Sequence, residues 1–178
     1  DTVIRHGPII GIAKLLLTSM FQRNFGLVNN YIPPEVQIFC HALALDESRA
    51  AFWPWRAVPL PQHPEQVVQE IWFAGSHSDV GGGNPDTSLP DVSLSWMIEQ
   101  AIRAGLDFRE VPSVAPDAPY SSITYTNSGF WRLLKPIMRT VAADDCLHAS
   151  VYERAKRLDY RPTASLPPNI DLMSDAKN

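Results

Sequence analysis

The chain has 178 residues, of which 45% are hydrophobic and 19% are charged, and its formal net charge at pH 7 is −4. This length and composition are typical of one globular domain with a core of its own. The acidic balance, and the absence of a dense basic patch from the sequence, predict that nucleic acid is not a partner.

The most apolar run near the start of the chain, residues 9–17, is interrupted by Gly11 and Lys14. It is too short to cross a bilayer and lacks the layout of a signal peptide. We therefore expect neither feature in these 178 residues. The localisation stays open between the cytoplasm and export by a route that needs no signal peptide. The two cysteines, Cys40 and Cys146, lack metal-type spacing and favour a pair of buried thiols.

The first half of the chain contains two apolar segments. Residues 8–25 show a broad apolar face that predicts a helix, and residues 35–45 fit a strand or a helix, with Ala and Leu favouring a helix at the end. Residues 46–49 (DESR) predict a solvated turn with a local ion pair. Residues 51–55 (AFWPW) predict a packed aromatic loop, with a wall of a substrate site as the alternative.

Residues 67–83 (VVQEIWFAGSHSDVGGG) form the segment around which the chain is organised. The β-branched and aromatic residues at its start predict a buried strand. His77, Asp79 and two serines follow where this strand ends, which is where ligands bind in open α/β sheets. Taken one at a time, a core histidine, a capping aspartate and a glycine turn would explain these residues. Together they favour a site.

The second half of the chain continues the α/β pattern, because a helix follows the strand and its glycine loop. The clearest helix is predicted at residues 91–105, capped by Asp91 or Ser93, ended by Gly105, and buried through Leu94, Met97, Ile98, Ala101 and Ile102. The remaining predictions are an irregular segment at 106–119, a short strand or loop at 121–125, a helix kinked by Pro136 at 130–141, a short helix or loop at 151–158, and a polar surface tail at 160–178.

Acyl transfer needs a nucleophile, a histidine base and a carboxylate that orients the base. His77 is the candidate base, with Asp1 or Asp79 to orient it, and His148 beside Asp144 or Asp145 is a second candidate pair. The sequence contains no Gly-x-Ser-x-Gly nucleophile elbow. The competing chemistry is a metal-dependent hydrolase that uses His77, Asp79 and His148 as ligands.

Residues 72–83 (WFAGSHSDVGGG) resemble the W-F-x-G-x-H-S-D-V-G-G-G signature of a family of α/β hydrolases that includes the phospholipase effectors of type VI secretion. Further matches occur in the family's order. Residues 1–3 resemble the end of its W-D-T-V segment, residues 41–54 its H-A-x-A-x-D-E-x-R-x-x-F-x-P segment, residues 93–97 the start of its R-W-M-type helix with serine in place of arginine, and residues 148–154 its H-x-S-V-x-x-R segment.

The resemblance implies an α/β-hydrolase-like sheet flanked by helices and incomplete at its N-terminal side. Residues 1–178 would be the C-terminal part of one catalytic domain, and the missing N-terminal part of that domain would be a partner. The implied activity is that of a serine esterase or lipase, plausibly a phospholipase, without a cofactor or a metal. The implied partners are a lipid or ester substrate and, transiently, a membrane surface.

Carried over by position, the resemblance implies that Asp1 and His77 are catalytic, with the serine upstream of the chain. Asp79 with His148 is the alternative pair, and the loop of Gly75, Ser78, Gly81, Gly82 and Gly83 would support the site. Without the elbow serine, we expect these residues alone to be inactive. A third hypothesis is a non-catalytic interaction domain with residues 52–55 as its contact surface.

Overall fold

The computed structural model describes residues 30–125 and 136–174. Its regular elements are strand β1 (Ile38–Ala44), strand β2 (Val67–Phe73), helix α1 (His77–Gly81), helix α2 (Ser88–Arg103), strand β3 (Cys146–Leu147) and helix α3 (Ala149–Leu158), with short 3-10 turns at Ala50–Phe52 and Ala118–Tyr120. The helix predicted at 8–25 lies outside the described residues, as does the first part of the one predicted at 130–141. Residues 136–141 are not helical.

The three strands form a parallel sheet in the order β1-β2-β3. β1 pairs with β2 from Ile38 opposite Val67 to Ala44 opposite Phe73. The strand predicted from residues 67–73 is therefore confirmed, and it is the middle strand of this sheet. A small parallel sheet flanked by helices is compatible with the predicted α/β class.

β1 corrects the preference for a helix at the end of residues 35–45. Its last four residues are buried, and the strand pairs with β2 along its whole length. A strand that is covered on both faces of a parallel sheet reads as a continuous apolar run, which local propensity cannot distinguish from a buried helix.

Alternate residues of each strand face opposite sides of the sheet, so the sheet separates two apolar clusters. Leu43 and Trp72 lie in the cluster on one side, with Val141 and Val151 of the C-terminal part. Phe73 lies in the cluster on the other side, where its ring meets the Trp96 ring edge-on at 5.7 Å between centroids.

Helix α2 is confirmed as a helix, but it begins at Ser88, before the caps predicted at Asp91 and Ser93. Pro90 falls in its first turn, where a missing N–H costs nothing. The predicted buried face is partly wrong, because Leu94 and Ile102 are each 46% exposed whereas Trp96 and Gln100 are buried. The Trp96 contact with the sheet, rather than the aliphatic pattern, sets the buried face.

In the C-terminal part, the segment predicted as a helix or loop at residues 151–158 is helical and lies within α3. The polar tail predicted at 160–178 is wrong for its described part, because Ala164 and Leu172 are buried in the core and the Ala164 amide donates to the Leu45 carbonyl.

The two cysteines are free. Cys146 is exposed and Cys40 is half-buried, so the expected burial of both thiols is wrong. Within the described residues, no helix has the length and apolar character that crossing a membrane requires.

A charged network lies beside β2 on the Trp72 side of the sheet. Arg56 donates to Glu70 at 2.6 Å and to both carboxylate oxygens of Asp145 at 2.7 and 3.0 Å. Asp145 also accepts from the Trp72 indole at 2.9 Å, and Glu70 lies 3.0 Å from Nδ1 of His41. Burial would raise the pKa of both carboxyl groups. The hydrogen bonds with His41 and Arg56 hold the pKa of Glu70 below its usual range, and those with Arg56 and other donors do the same for Asp145.

The network predicts acid sensitivity. Because Glu70 and Asp145 have a lower pKa when folded than when unfolded, their stabilisation is present above the unfolded pKa of about 4 and is lost as pH falls through the folded values. We expect the free energy of unfolding to decline from pH 5 downward, as measured by urea titration at several pH values. Arg56→Met should flatten this decline, and an unchanged slope in that variant would contradict the prediction.

Candidate active site

The segments that follow β1 and β2 run side by side at the carboxyl edge of the sheet. The Leu45 amide donates to the Phe73 carbonyl and the Asp46 amide to the Gly75 carbonyl, both at 2.9 Å. Parallel pairing therefore continues past the ends of both strands. It brings the acidic residues after β1 next to the histidine after β2.

Asp46 holds this edge together through its carboxylate. One oxygen accepts from the Gly75 amide at 2.7 Å and from the Tyr160 hydroxyl at 2.6 Å, and the other accepts from the Thr163 amide at 2.8 Å. Burial, reinforced by the Asp46 charge, raises the pKa of Tyr160 far above its usual value, so its hydroxyl remains a donor. The solvation predicted for residues 46–49 is wrong, because Asp46 and Glu47 are both buried, whereas the predicted local ion pair is confirmed between Glu47 and Arg49 at 2.7 Å.

Glu47 is 1% exposed, and among the hydrogen bonds that it accepts are four from Arg49 and His77. Arg49 supplies three, from its backbone amide at 2.8 Å and from its guanidinium at 2.9 and 2.7 Å. The fourth comes from the backbone amide of His77 at 3.3 Å. Burial would raise the pKa of the Glu47 carboxyl, but the bonds from Arg49 outweigh burial and lower it, so the group is ionised.

His77 is half-buried at the first position of helix α1, directly after the turn that follows β2. Its ring lies 5.1 Å from the Phe52 ring, and the Arg49 guanidinium covers Phe52 at 3.7 Å from the ring centroid. Burial lowers the pKa of His77. The Glu47 charge raises it, and the charges of Arg49 and Arg139 lower it further. The imidazole is therefore neutral at pH 7 and able to accept a proton.

Asp79 forms the start of helix α1 together with Ser76. One oxygen of Asp79 accepts from the amide and the hydroxyl of Ser76 and from the Thr124 amide, all at 2.9 Å. The other oxygen accepts from the Asn84 side chain at 2.7 Å. This is a capping box, in which the carboxylate satisfies donors that the helix leaves open. The Asp79 carboxylate is therefore engaged with the first residues of helix α1 and with the loop that contains Thr124.

Gly75 allows the chain to turn between β2 and this helix. Its φ is +112°, and a Cβ atom at this position would lie 2.5 Å from Cβ of Asp79. The backbone angle and the close approach both require glycine.

The glycine loop continues from the end of helix α1. Ser78 is half-buried within the helix, and Gly81 is its last residue. Gly82 and Gly83 follow with φ of +85° and +104°, and a Cβ built on either meets no described atom within 4 Å beyond its own chain neighbours. The loop therefore has space for side chains, but its backbone angles disfavour them.

His148 caps helix α3 and lies elsewhere along the carboxyl edge. Its Nδ1 is 2.9 Å from the Ser150 hydroxyl and 3.3 Å from the Ser150 amide, and its ring stacks on Phe73 at 4.6 Å. Burial lowers its pKa, whereas the nearby Glu99 charge raises it. The structure thus gives His148 and Asp79 different hydrogen-bond partners and does not join them as a pair. Asp145 is bound to Arg56 instead.

Asp1, the other predicted catalytic residue, lies outside the described residues. Within residues 30–125 and 136–174, no three His, Cys, Asp or Glu side chains are arranged to hold a metal ion, so the set of His77, Asp79 and His148 is not gathered there.

Arg139 was not anticipated as part of the site. It is 1% exposed and donates to the Ala44 carbonyl at 2.6 Å and to the Phe52 carbonyl. Burial lowers its pKa to about 10, and the Glu47 charge opposes this. Its contacts lie about 90 residues away in sequence, so no local pattern could have identified it.

These observations define a protein with a parallel α/β sheet and a candidate site of His77, Glu47 and their cationic neighbours at its carboxyl edge. The family model "T6SS, Phospholipase effector Tle1-like, catalytic domain" matches residues 1–100, which is more than half of the chain. The chain belongs to this family, and the resemblance drawn from residues 72–83 is confirmed.

A search of curated proteins matches the chain to the uncharacterized protein YEL023C of Saccharomyces cerevisiae (strain ATCC 204508 / S288c). The two are 40% identical over 45 residues, which are 22% of this chain and 7% of the yeast protein. The chain therefore covers only a small part of that relative's length. No solved structure gives a significant match.

Replacing Gly75 tests whether the close approach between Gly75 and Asp79 requires a glycine. Gly75→Ala should lower the free energy of unfolding by more than about 3 kcal/mol, because it combines a disfavoured φ with a contact between two backbone-fixed atoms. Gly83→Ala is the matched control, because it has a similar φ without the contact, and it should cost about 1–3 kcal/mol. Denaturant unfolding measures both, and equal losses would contradict the role of the Asp79 contact.

Replacing Glu47 tests the buried charges. Glu47→Gln keeps the shape but removes the ion-pair partner of Arg49 and a negative charge near the buried Arg139, and should cost about 3 kcal/mol of stability. Glu65→Gln, at an exposed carboxylate, should change stability by less than about 0.5 kcal/mol. If the two variants unfolded at the same denaturant concentration, Glu47 would not be a needed counter-charge.

Proposed function

We propose that the chain is the C-terminal part of a single α/β-hydrolase-like catalytic domain of a serine esterase that cleaves phospholipid ester bonds. The nucleophilic serine would come from sequence that precedes Asp1, and its strand would complete the sheet. His77 is the general base and Asp1 is the carboxylate that orients it. The observation that carries the proposal is the position of a neutral, half-buried histidine at the carboxyl end of the middle strand of a parallel sheet.

The protonation state of His77 supports its role as a base. Burial lowers its pKa, so the ring is neutral and accepts the proton of the attacking serine hydroxyl. The imidazolium that forms needs a negative charge nearby. Glu47 lies on the backbone side of His77 but is already engaged with Arg49. A second carboxylate on the ring is therefore required, which is the role that we assign to Asp1.

The surroundings of His77 support proton transfer with little rearrangement. Phe52 lies against the imidazole, and Glu47 fixes the His77 backbone. The capping box of Ser76 and Asp79 sets the direction of helix α1, so the ring is attached to a rigid element. In the second half of the reaction, the same ring returns the proton to the leaving alcohol as a general acid.

The substrate class follows from the family, whose description names phospholipase effectors. We therefore propose a phospholipid ester as substrate. No step of this mechanism uses a metal or an organic cofactor.

Replacing His77 tests the proposal. In the full-length protein, His77→Ala should reduce kcat for phospholipid ester hydrolysis by at least about a thousandfold, because it removes the base. Fatty-acid release from phospholipid vesicles, together with hydrolysis of a monomeric short-chain ester, measures the loss. The thermal unfolding midpoint shows whether the variant is folded.

His63→Ala is the matched control, because His63 lies on a surface turn beside Glu65. It should retain full activity. His148→Ala separates the two candidate bases and should lose far less activity than His77→Ala. Full activity in His77→Ala, or equal losses in the two variants, would overturn the assignment.

A further inference from the structure

The segment from residue 48 to residue 64 differs in charge from the rest of the chain. It contains no aspartate or glutamate, although the chain has 19 of them among 178 residues. Its two arginines, Arg49 and Arg56, bind buried or half-buried carboxylates that lie outside the segment. The segment therefore has no acidic side chain of its own, and carboxylates from elsewhere in the chain balance the charges of its two arginines.

Two indole rings project from this segment. Trp53 is 47% exposed and Trp55 is 42% exposed, whereas Pro54 between them is buried. A buried proline restricts the backbone and fixes the residue on each side. The two rings are thus held at the surface by an anchored turn, and their exposure is not that of a loose loop.

The segment is also fixed to the protein beneath it. The Phe52 carbonyl accepts from the buried Arg139 guanidinium, and the Ser48 carbonyl accepts from the Ile137 amide at 2.8 Å. Phe52 touches the His77 ring, so the first indole is one residue away from a contact of the candidate base. The exposed tryptophans therefore follow directly in sequence on a residue that contacts the candidate base.

We propose that Trp53 and Trp55 form a docking surface that seats the candidate site on a phospholipid bilayer. The inference rests on the proposed function, because it names the surface through which that site would reach its substrate. Indole rings prefer the headgroup region of a membrane, where the ring is buried and its N–H stays hydrated. The segment has no aspartate or glutamate of its own, so it adds no negative charge that anionic lipids would repel.

The rigidity of the segment strengthens the case for a bilayer. A preorganised pair of rings pays little conformational entropy on insertion. A lipid surface also makes no demand for shape complementarity, so it can accept two exposed rings on a short segment. A protein partner that uses these rings is the competing outcome, and it is included in the test.

The test measures binding of the full-length protein to vesicles of phosphatidylethanolamine and phosphatidylglycerol. All variants carry His77→Ala, so that the lipid is not hydrolysed during the experiment. Co-sedimentation gives the dissociation constant. Trp53→Ala with Trp55→Ala should weaken binding by about tenfold or more, because both rings lose their apolar contact with lipid.

Phe108→Ala is the matched control, since Phe108 is an aromatic residue with the same exposed fraction of 42% on the loop after helix α2. Its binding should stay within about twofold of the parent. Trp53→Phe with Trp55→Phe keeps aromatic area at both positions and should restore most of the binding. This second pair separates loss of lipid contact from loss of folding.

Unchanged vesicle binding in the double alanine variant would overturn the proposal, and so would failure of the phenylalanine pair to restore binding. A protein partner that needs both rings while vesicle binding stays unchanged would assign the surface to protein recognition. Because binding is measured without the candidate base, its outcome is independent of whether the wild-type protein hydrolyses esters.

Discussion

The hydrogen bonds between Asp46 and Gly75 fix the edge of the sheet on which the candidate site lies. The Asp46 amide donates to the Gly75 carbonyl, and the Asp46 carboxylate accepts from the Gly75 amide. This pair extends the parallel pairing of β1 and β2 past the ends of the strands. Tyr160 and Thr163 bind the same carboxylate, so the C-terminal segment is joined to the same point. The position of His77, two residues after Gly75, depends on this junction.

The neighbouring carboxylate of Glu47 has a different effect, because it balances charge. Two guanidinium groups lie close to a histidine that burial keeps neutral, and without Glu47 their positive charge would be uncompensated inside the protein. Glu47 also opposes the fall in the His77 pKa. Glu47 thus offsets part of the effect of burial and of the two guanidinium groups, but the pKa of His77 stays below its usual value and the ring stays neutral.

The elements that sequence predicted well are those specified by neighbouring residues. β2 follows from a β-branched and aromatic run that ends in glycine, and helix α2 follows from helical spacing, whereas the charged residues of α3 fit a helix or a loop. The errors occur where distant contacts decide. Residues 46–49 are polar and read as a surface turn, but Tyr160, Thr163 and His77 cover them. The Arg139 contacts with Ala44 and Phe52 likewise join parts of the chain that no local window includes.

Within the Gly-Ser-His-Ser-Asp run, the structure separates supporting residues from the candidate for chemistry. Gly75 provides a backbone angle and a close approach, and Ser76 with Asp79 forms the helix start, so these three are engaged in holding the turn. His77 alone presents a titratable ring that is neutral, half-buried and attached to a rigid element. A single base cannot carry out acyl transfer, because the reaction also needs a nucleophile and an orienting carboxylate. His77 therefore accounts for the base of the proposed reaction, and the nucleophile and the orienting carboxylate have to come from other groups.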